Sequence, residues 1–128
     1  MRALVIVDAA NVVGSVPDGW WRDRRGAAER LRDRLTAFAS AGVPGHPGPV
    51  ELVLVVEGAA SGVESVQDVR VESAPGSGDD LIVELASARD AGRDCVVVTA
   101  DRELRRRVEA YGARCLGPRT VYGPADPV

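Results

Sequence analysis

The sequence predicts an α/β three-layer sandwich, in which helices cover both faces of a central, mainly parallel β-sheet. Three short runs rich in Val, residues 3–7, 51–56 and 95–99, indicate strands that are buried on both faces. Segments of helical periodicity lie between them, and such alternation is typical of parallel sheets with right-handed crossovers. The 128 residues are 45% hydrophobic and 27% charged, as expected for one domain with a substantial core.

Three helices are predicted between and after the strands. The longest covers residues 22–40, where apolar side chains recur at helical spacing and Arg and Asp occupy the other face. The same pattern predicts helices over residues 79–91 and 101–111. Glycines stand where the C-caps of these helices are expected: Gly42, Gly92 and Gly112.

The remaining segments are less regular. Residues 68–73 alternate in polarity and indicate a shorter, less buried strand, and residues 112–117 indicate a last edge strand. The Pro/Gly-rich residues 42–50 are predicted to form a surface loop. Residues 1–128 form a single domain in this interpretation, with residues 119–128 as an irregular tail.

Charge and cysteine content restrict the partners and the compartment. The net charge of −3 gives no overall attraction to nucleic acid, so a polyanionic partner requires a local Arg patch or a bound cation. No apolar run is long enough to span a membrane, so we expect no membrane partner. Cys95 and Cys115 are typical of small core residues rather than a disulfide, which favours a reducing cytoplasm.

Carboxylates follow the strands of the predicted sheet. Asp8 ends the first strand, Glu57 follows the second, and Asp101 follows the run at 95–99. The helix after "APGSG" opens with acids as well, at Asp79 and Asp80. Parallel sheets bind ligands beyond the carboxyl ends of their strands, so we expect these acids at one edge. Such a cluster is costly unless a cation neutralises it, and oxygen ligands suit Mg²⁺ or Mn²⁺.

Each acid also has a structural interpretation. Asp8 could merely cap a turn, Asp101 could be the N-cap of the helix that follows it, and Glu57 could be solvated in a loop. Ser77 and Asp80 fit the spacing of a capping box. We favour the metal site because all these acids are expected at one edge.

Basic and aromatic residues lie beside the acids in the sequence. Arg22, Arg24 and Arg102 are expected to begin helices near this edge, where they could bind substrate phosphates; the alternative is a solvated helix face. Trp20 and Trp21 precede the longest helix, and we interpret them as a hydrophobic staple or a lid on the core rather than a base-stacking platform.

Three motifs together resemble the NYN domains, a branch of the PIN-like nucleases. They are "VIVDAANVVGS" (5–15), "PGSGDDLIVELA" (75–86) and "VVVTADRELRRRVEAYGA" (96–113). The likeness is greatest to small stand-alone members of actinobacterial type that carry the segment "PDGWWRDR". The resemblance implies a PIN-like (Rossmann-like) fold and Mg²⁺- or Mn²⁺-dependent cleavage of RNA.

The resemblance also implies roles for individual residues. Carried over by position, the metal-binding and catalytic acids are Asp8, Asp79 or Asp80, and Asp101. Asn11 and Thr99 are implied to support the site. Glu57 stands where many members have Asp, and the end of the chain lacks the apolar segment expected to pack as a last element.

These observations lead to one function and its alternatives. We expect a metal-dependent ribonuclease acting on single-stranded or structured RNA. One alternative is a catalytically weak or inactive module that binds RNA or protein, and another is a nucleotide phosphohydrolase. The sequence leaves the oligomeric state open, a homodimer being one option.

Overall fold

The computed structural model describes residues 1–122. Its strands and α-helices follow in the order β1 (Leu4–Asp8), α1 (Ala9–Gly14), α2 (Arg24–Ala41), β2 (Gly42–Val43), β3 (His46–Pro47), β4 (Glu51–Val56), β5 (Val69–Ser73), α3 (Gly78–Ala88), β6 (Cys95–Val98), α4 (Arg102–Glu109) and β7 (Arg114–Leu116). Short 3₁₀ helices cover Trp20–Arg22, Gly58–Ala60 and Pro118–Thr120.

Five of these strands form one sheet in the order β5-β4-β1-β6-β7, and every pair in it is parallel. The chain builds outward from β1 through β4 to β5, then crosses over to β6 on the other side of β1. The strand order therefore reverses between β1 and β6. In open parallel sheets the crevice at this reversal, outside the carboxyl ends of the strands, is the usual ligand site.

Helices cover both faces of the sheet, which makes three layers. On β1, Val5 and Val7 face one core with α1 and α2, whereas Leu4 and Ile6 face a second core with α3 and α4. Side chains alternate along a strand, so a central strand must be apolar at every position to be covered on both faces. The continuous Val-rich runs satisfy this requirement, and the predicted fold class is confirmed.

The predicted strands and helices are present with ends shifted by a few residues, but α1 was not predicted. Its residues include Val12 and Val13, whose β-branched side chains are poor helix formers. Both are buried in the core, so packing outweighs their intrinsic preference. Strands β2 and β3, each two residues long, pair antiparallel as a short hairpin inside the predicted loop over 42–50.

Of the three glycines predicted as helix C-caps, only one occupies that position. Gly42 is the C-cap of α2, with φ of 83°. Gly92 lies beyond the end of α3, and the C-cap of that helix is Arg89. The Arg89 guanidinium donates a hydrogen bond to the carbonyl of Ala86 at 2.7 Å. An arginine therefore satisfies a helix-end carbonyl there. Gly112 lies two residues beyond Ala110, the C-cap of α4.

Residues 119–122, which the sequence analysis assigned to an irregular tail, pack against the domain. Pro118–Thr120 form a 3₁₀ helix, and Val121 and Tyr122 are only 2% and 9% exposed. The Tyr122 hydroxyl donates to Asp18 Oδ2 at 3.2 Å. Val121 and Tyr122 therefore form the packed apolar segment that the sequence analysis did not find at the end of the chain. The prediction for residues 123–128 lies outside the described residues.

Two further expectations concern cysteines and membranes. Cys95 and Cys115 are free thiols, and burial raises the pKa of both, as expected for packing residues. Within residues 1–122, no helix combines the length and the apolar character needed to cross a membrane.

Candidate active site

Asp8 stands at the reversal of strand order, where β1 ends and α1 begins. The residue is only 5% exposed. Asp8 Oδ2 accepts a hydrogen bond from the Thr99 hydroxyl at 2.9 Å, and Oδ1 accepts one from the backbone N–H of Asn11 at 3.3 Å. The second bond makes Asp8 the N-cap of α1, so the capping role considered from the sequence is present. Each oxygen of this buried carboxylate therefore has one hydrogen-bond donor, and within residues 1–122 no arginine or histidine forms an ion pair with it.

The buried position of Asp8 changes its acidity. Burial raises its pKa from 3.8 to about 6, because the ionised form loses hydration. The bonds from Thr99 and Asn11 lower the pKa, and the negative charges of Asp79 and Glu57 raise it. Asp8 is therefore an acid in an environment with too little positive charge. A strongly shifted group at a sheet edge is a functional-site candidate on physical grounds.

Thr99 and Asn11 join the two strand ends that frame the site. The Thr99 hydroxyl also accepts from the backbone N–H of Asp101 at 3.2 Å, and Asn11 Oδ1 accepts from the backbone N–H of Ala100 at 2.8 Å. Both contacts connect the segment after β1 to the segment after β6. Asn11 and Thr99 therefore hold the two strand ends together at the edge where Asp8 lies.

Asp79 and Asp80 point to different surroundings at the start of α3. Partial burial raises the pKa of Asp79, and the charges of Asp101 and Glu57 raise it further, while Arg107 lowers it. Asp80 is exposed and its Oδ1 lies 2.9 Å from Arg107 Nη2. Asp79 is therefore the member of the pair in the electrostatic neighbourhood of the other acids.

Asp101 and Glu57 both stabilise helix starts. Asp101 Oδ1 accepts from the backbone N–H groups of Glu103 and Leu104 at 2.9 and 3.1 Å, so the N-cap interpretation is correct. Glu57 Oε2 accepts from the backbone N–H of Gly78 at 2.8 Å, so the interpretation of a merely solvated Glu57 is wrong.

The capping-box interpretation of Ser77 is also wrong. Ser77 is the N-cap residue of α3, yet its hydroxyl makes no capping bond. Glu57 directly follows β4, and its carboxylate accepts from the Gly78 N–H, the first of α3. This N–H therefore needs no local cap.

The acids gather at one edge without forming a closed metal cage. Within residues 1–122, no three His, Cys, Asp or Glu side chains are arranged as a ready-made ligand group. The donor chemistry nevertheless suits a hard cation, because the buried Asp8 and the partly buried Asp79 carry raised pKa values that a positive charge would lower. Mg²⁺ commonly takes one or two carboxylates and fills its remaining positions with water and substrate phosphate. The site fits that mode of binding.

Arginines and tryptophans flank the acidic edge. The Arg24 guanidinium lies 5.3 Å from the centre of the Trp20 ring, and that of Arg22 lies 5.8 Å from the Trp21 ring. Arg102 is the first residue of α4, directly after Asp101, and is exposed. All three predicted substrate-binding arginines are on the surface, beside elements that end or begin at this edge.

Solved structures share this architecture. Rae1 (YacP) from Bacillus subtilis superposes with a TM-score of 0.76 at 20% identity, over 94% of this chain and 71% of that chain. The W164L mutant of the same protein superposes with a TM-score of 0.68 at 16% identity, over 91% of this chain and 70% of that chain. These likenesses show that the chain shares its fold with that protein. No protein-family model matches the sequence, and neither does any curated protein.

Two arginines of α4 that the sequence did not single out contact residues at this edge. Arg105 Nε donates to the carbonyl of Thr99 at 2.8 Å, and Arg107 pairs with Asp80. Both adjoin the fully buried stripe of Leu104 and Val108. Arginines next to a buried stripe lean toward neighbouring elements, and that pattern could have identified them.

Proposed function

We propose that this domain is a ribonuclease that cleaves RNA phosphodiester bonds with Mg²⁺ or Mn²⁺ at the carboxyl edge of its sheet. The observation that carries the proposal is Asp8: a buried carboxylate, with a pKa raised to about 6, at the reversal of strand order. A fold needs no such group for stability, since burying a carboxylate with insufficient compensation is unfavourable. Its position among other acids favours a bound cation.

Asp8 and Asp79 are the residues that would hold the ion directly. Their pKa values are raised by burial and by neighbouring acids, and Arg107 lowers that of Asp79 only in part. Asp101 and Glu57 each use one carboxylate oxygen in a capping bond, and the second oxygen of each can bind a metal-bound water. A bound divalent ion supplies a water of lowered pKa and stabilises negative charge on the phosphate.

The chain's own polar residues orient the acids and the substrate. The Thr99 hydroxyl and the Asn11 N–H fix the two oxygens of Asp8, and the Arg105 bond to the Thr99 carbonyl holds that strand end in place. Arg22, Arg24 and Arg102 are exposed around the edge and would bind flanking phosphates through charge-assisted hydrogen bonds.

A second candidate is a module that binds RNA without cutting it. The capping bonds of Asp101 and Glu57 favour it, because they give both acids a structural role that does not depend on metal. Such a module would keep the arginines and the fold and would bind metal weakly or not at all.

A cleavage assay separates the two candidates. We expect the purified protein to cleave short single-stranded RNAs in the presence of Mn²⁺ or Mg²⁺. EDTA should stop the cleavage, and the Asp8→Asn variant should be inactive. Asp80→Asn is the matched control, because Asp80 faces Arg107, and it should stay active. Binding of RNA with no cleavage in either metal would support the non-catalytic module, and equal cleavage by Asp8→Asn would contradict the proposed site.

A further inference from the structure

Next to the acidic edge lies a cavity of about 380 Å³ between α1, the start of α2 and the segment after β4. We propose that this cavity binds a nucleobase of single-stranded RNA, next to the phosphate that the acids would act on. The inference rests on the proposed function for its substrate class and adds a base-binding subsite to it.

The walls of the cavity have the composition of a base pocket. Ala9, Ala10 and Val13 of α1 supply an apolar wall, and the ring of Trp20 supplies an aromatic one. Arg24 also lines the cavity. Ligand pockets of a few hundred Å³ usually combine apolar and aromatic walls with a small number of polar groups. The cavity has both kinds of wall.

The cavity adjoins the acidic edge. Ala9 and Ala10 directly follow Asp8, so the helix turn that places the carboxylate also forms the cavity wall. Glu57 lines the cavity as well, and its charge acts on both Asp8 and Asp79. A nucleotide with its base in the cavity would therefore have its phosphate near the acids.

Trp20 is held in place before any ligand arrives. Its ring packs beside Gly14, where an added Cβ would lie 3.7 Å from the ring. It also meets Trp21 edge to face, with ring centres 6.0 Å apart and an interplanar angle of 89°. An aromatic ring with a fixed orientation loses little entropy when a base stacks on it. Trp20 also contacts the core, as the lid interpretation expected, and can serve both roles.

The polar groups select a base over a purely apolar ligand. The guanidinium of Arg24, 5.3 Å from the Trp20 ring centre, can stack on a base or contact its phosphate. The Glu57 carboxylate accepts from the Gly78 N–H with one oxygen, and the other oxygen has two lone pairs, so it can accept from a base amino group as well as from a metal-bound water. A base can enter such a pocket only when it is unpaired and unstacked, which selects single-stranded RNA.

Binding measurements in EDTA test the pocket without cleavage. The probes are a fluorescein-labelled short oligoadenylate, an abasic oligomer of the same length and charge, and the oligoadenylate paired with oligouridylate. We expect the abasic and duplex probes to bind about tenfold more weakly, as is typical for the loss of one base–aromatic stack. In a Trp21→Phe background, Trp20 is the one remaining tryptophan, and oligoadenylate should quench its fluorescence.

Variants that fill the cavity test its location. Ala10→Phe and Ala59→Phe replace exposed alanines of the cavity wall and should weaken oligoadenylate binding about tenfold and abolish the quenching. Ala88→Phe replaces an exposed helical alanine elsewhere and should bind normally. Thermal unfolding checks that each variant is folded.

The outcomes separate this inference from the proposed function. Equal affinity for oligoadenylate and the abasic oligomer, or normal binding by folded Ala10→Phe and Ala59→Phe, overturns the pocket even if RNA is cleaved. Base-dependent binding with quenching supports the pocket even if no RNA is cleaved, in which case the ribonuclease proposal alone fails.

Discussion

The hydroxyl of Thr99 donates a hydrogen bond to Asp8 Oδ2 at 2.9 Å, which links the ends of the two strands where the order of the sheet reverses. Thr99 is fully buried and Asp8 nearly so. The same hydroxyl accepts from the backbone N–H of Asp101. Because a hydroxyl has one proton, this arrangement directs it at the carboxylate and fixes the geometry of the central acid.

Replacing Thr99 tests the importance of this bond. Thr99→Val keeps the size and removes the donor, so the pKa of Asp8 should rise above about 6, since that bond lowers it. The free energy of unfolding at neutral pH should fall by about 1–3 kcal/mol, as expected when a buried acceptor loses its donor. Thr99→Ser keeps the hydroxyl and is the control. Urea denaturation measures the difference, and equal losses in Thr99→Val and Thr99→Ser would assign the effect to packing.

The raised pKa of Asp8 predicts how stability depends on pH in the absence of metal. With a pKa of 3.8 in the unfolded chain and about 6 in the folded one, the folded state binds the proton more tightly between these values. Stability contributed by Asp8 is therefore greatest at low pH, falls as pH rises through this window, and is constant above it.

Asp8→Asn should remove this dependence. Above about pH 6 the variant should be more stable than the wild type by about 1–2 kcal/mol, less than the full linkage value because Asn replaces one acceptor oxygen. The gap should close at about pH 5 and reverse below it, where the protonated Asp8 no longer destabilises the wild type. Thermal melts in EDTA measure it, with the exposed Asp80→Asn as a control that should show little change. A less stable Asp8→Asn above pH 6 would show that the carboxylate is not destabilising.

The fold and the edge of the site were predictable because they depend on local patterns. Continuous Val-rich runs identify covered parallel strands, and parallel strands bring their carboxyl ends together. Asp8 and Asp101 could be placed at one edge for this reason. The choice between Asp79 and Asp80 could not be made, because neighbours on a helix point about 100° apart and the rotation of α3 depends on packing. The partner that distinguishes them, Arg107, is 27 residues away.

The capping of α3 was unpredictable for a similar reason. The sequence offered Ser77 and Asp80 at capping-box spacing, and local rules see only such neighbours. The actual acceptor is Glu57, 21 residues earlier and on another element. Long-range partners of this kind follow from the packing of β4 beside α3, which no local spacing encodes.

This cap predicts a contrast between two substitutions. Glu57→Ala removes the acceptor of the Gly78 N–H and should lower the free energy of unfolding by about 1 kcal/mol. Ser77→Ala should change it by less than about 0.5 kcal/mol, because the Ser77 hydroxyl makes no capping bond. Urea denaturation of both variants at neutral pH provides the comparison. A larger effect of Ser77→Ala would restore the capping-box interpretation.

Metal binding should distinguish Asp79 from Asp80. If Asp79 holds the ion with Asp8, Mn²⁺ should stabilise the wild type by about 2–3 kcal/mol at a concentration about 100-fold above the dissociation constant, and this gain should be lost in Asp79→Asn. Asp80→Asn retains Asp79 and should keep the gain. The stabilisation should also increase as pH rises through about 6, because Asp8 must lose its proton to bind the ion. Thermal shifts with Mn²⁺ and EDTA at several pH values measure all three effects. Equal responses of the two variants, or a gain unaffected by pH, would place the ion away from Asp8 and Asp79.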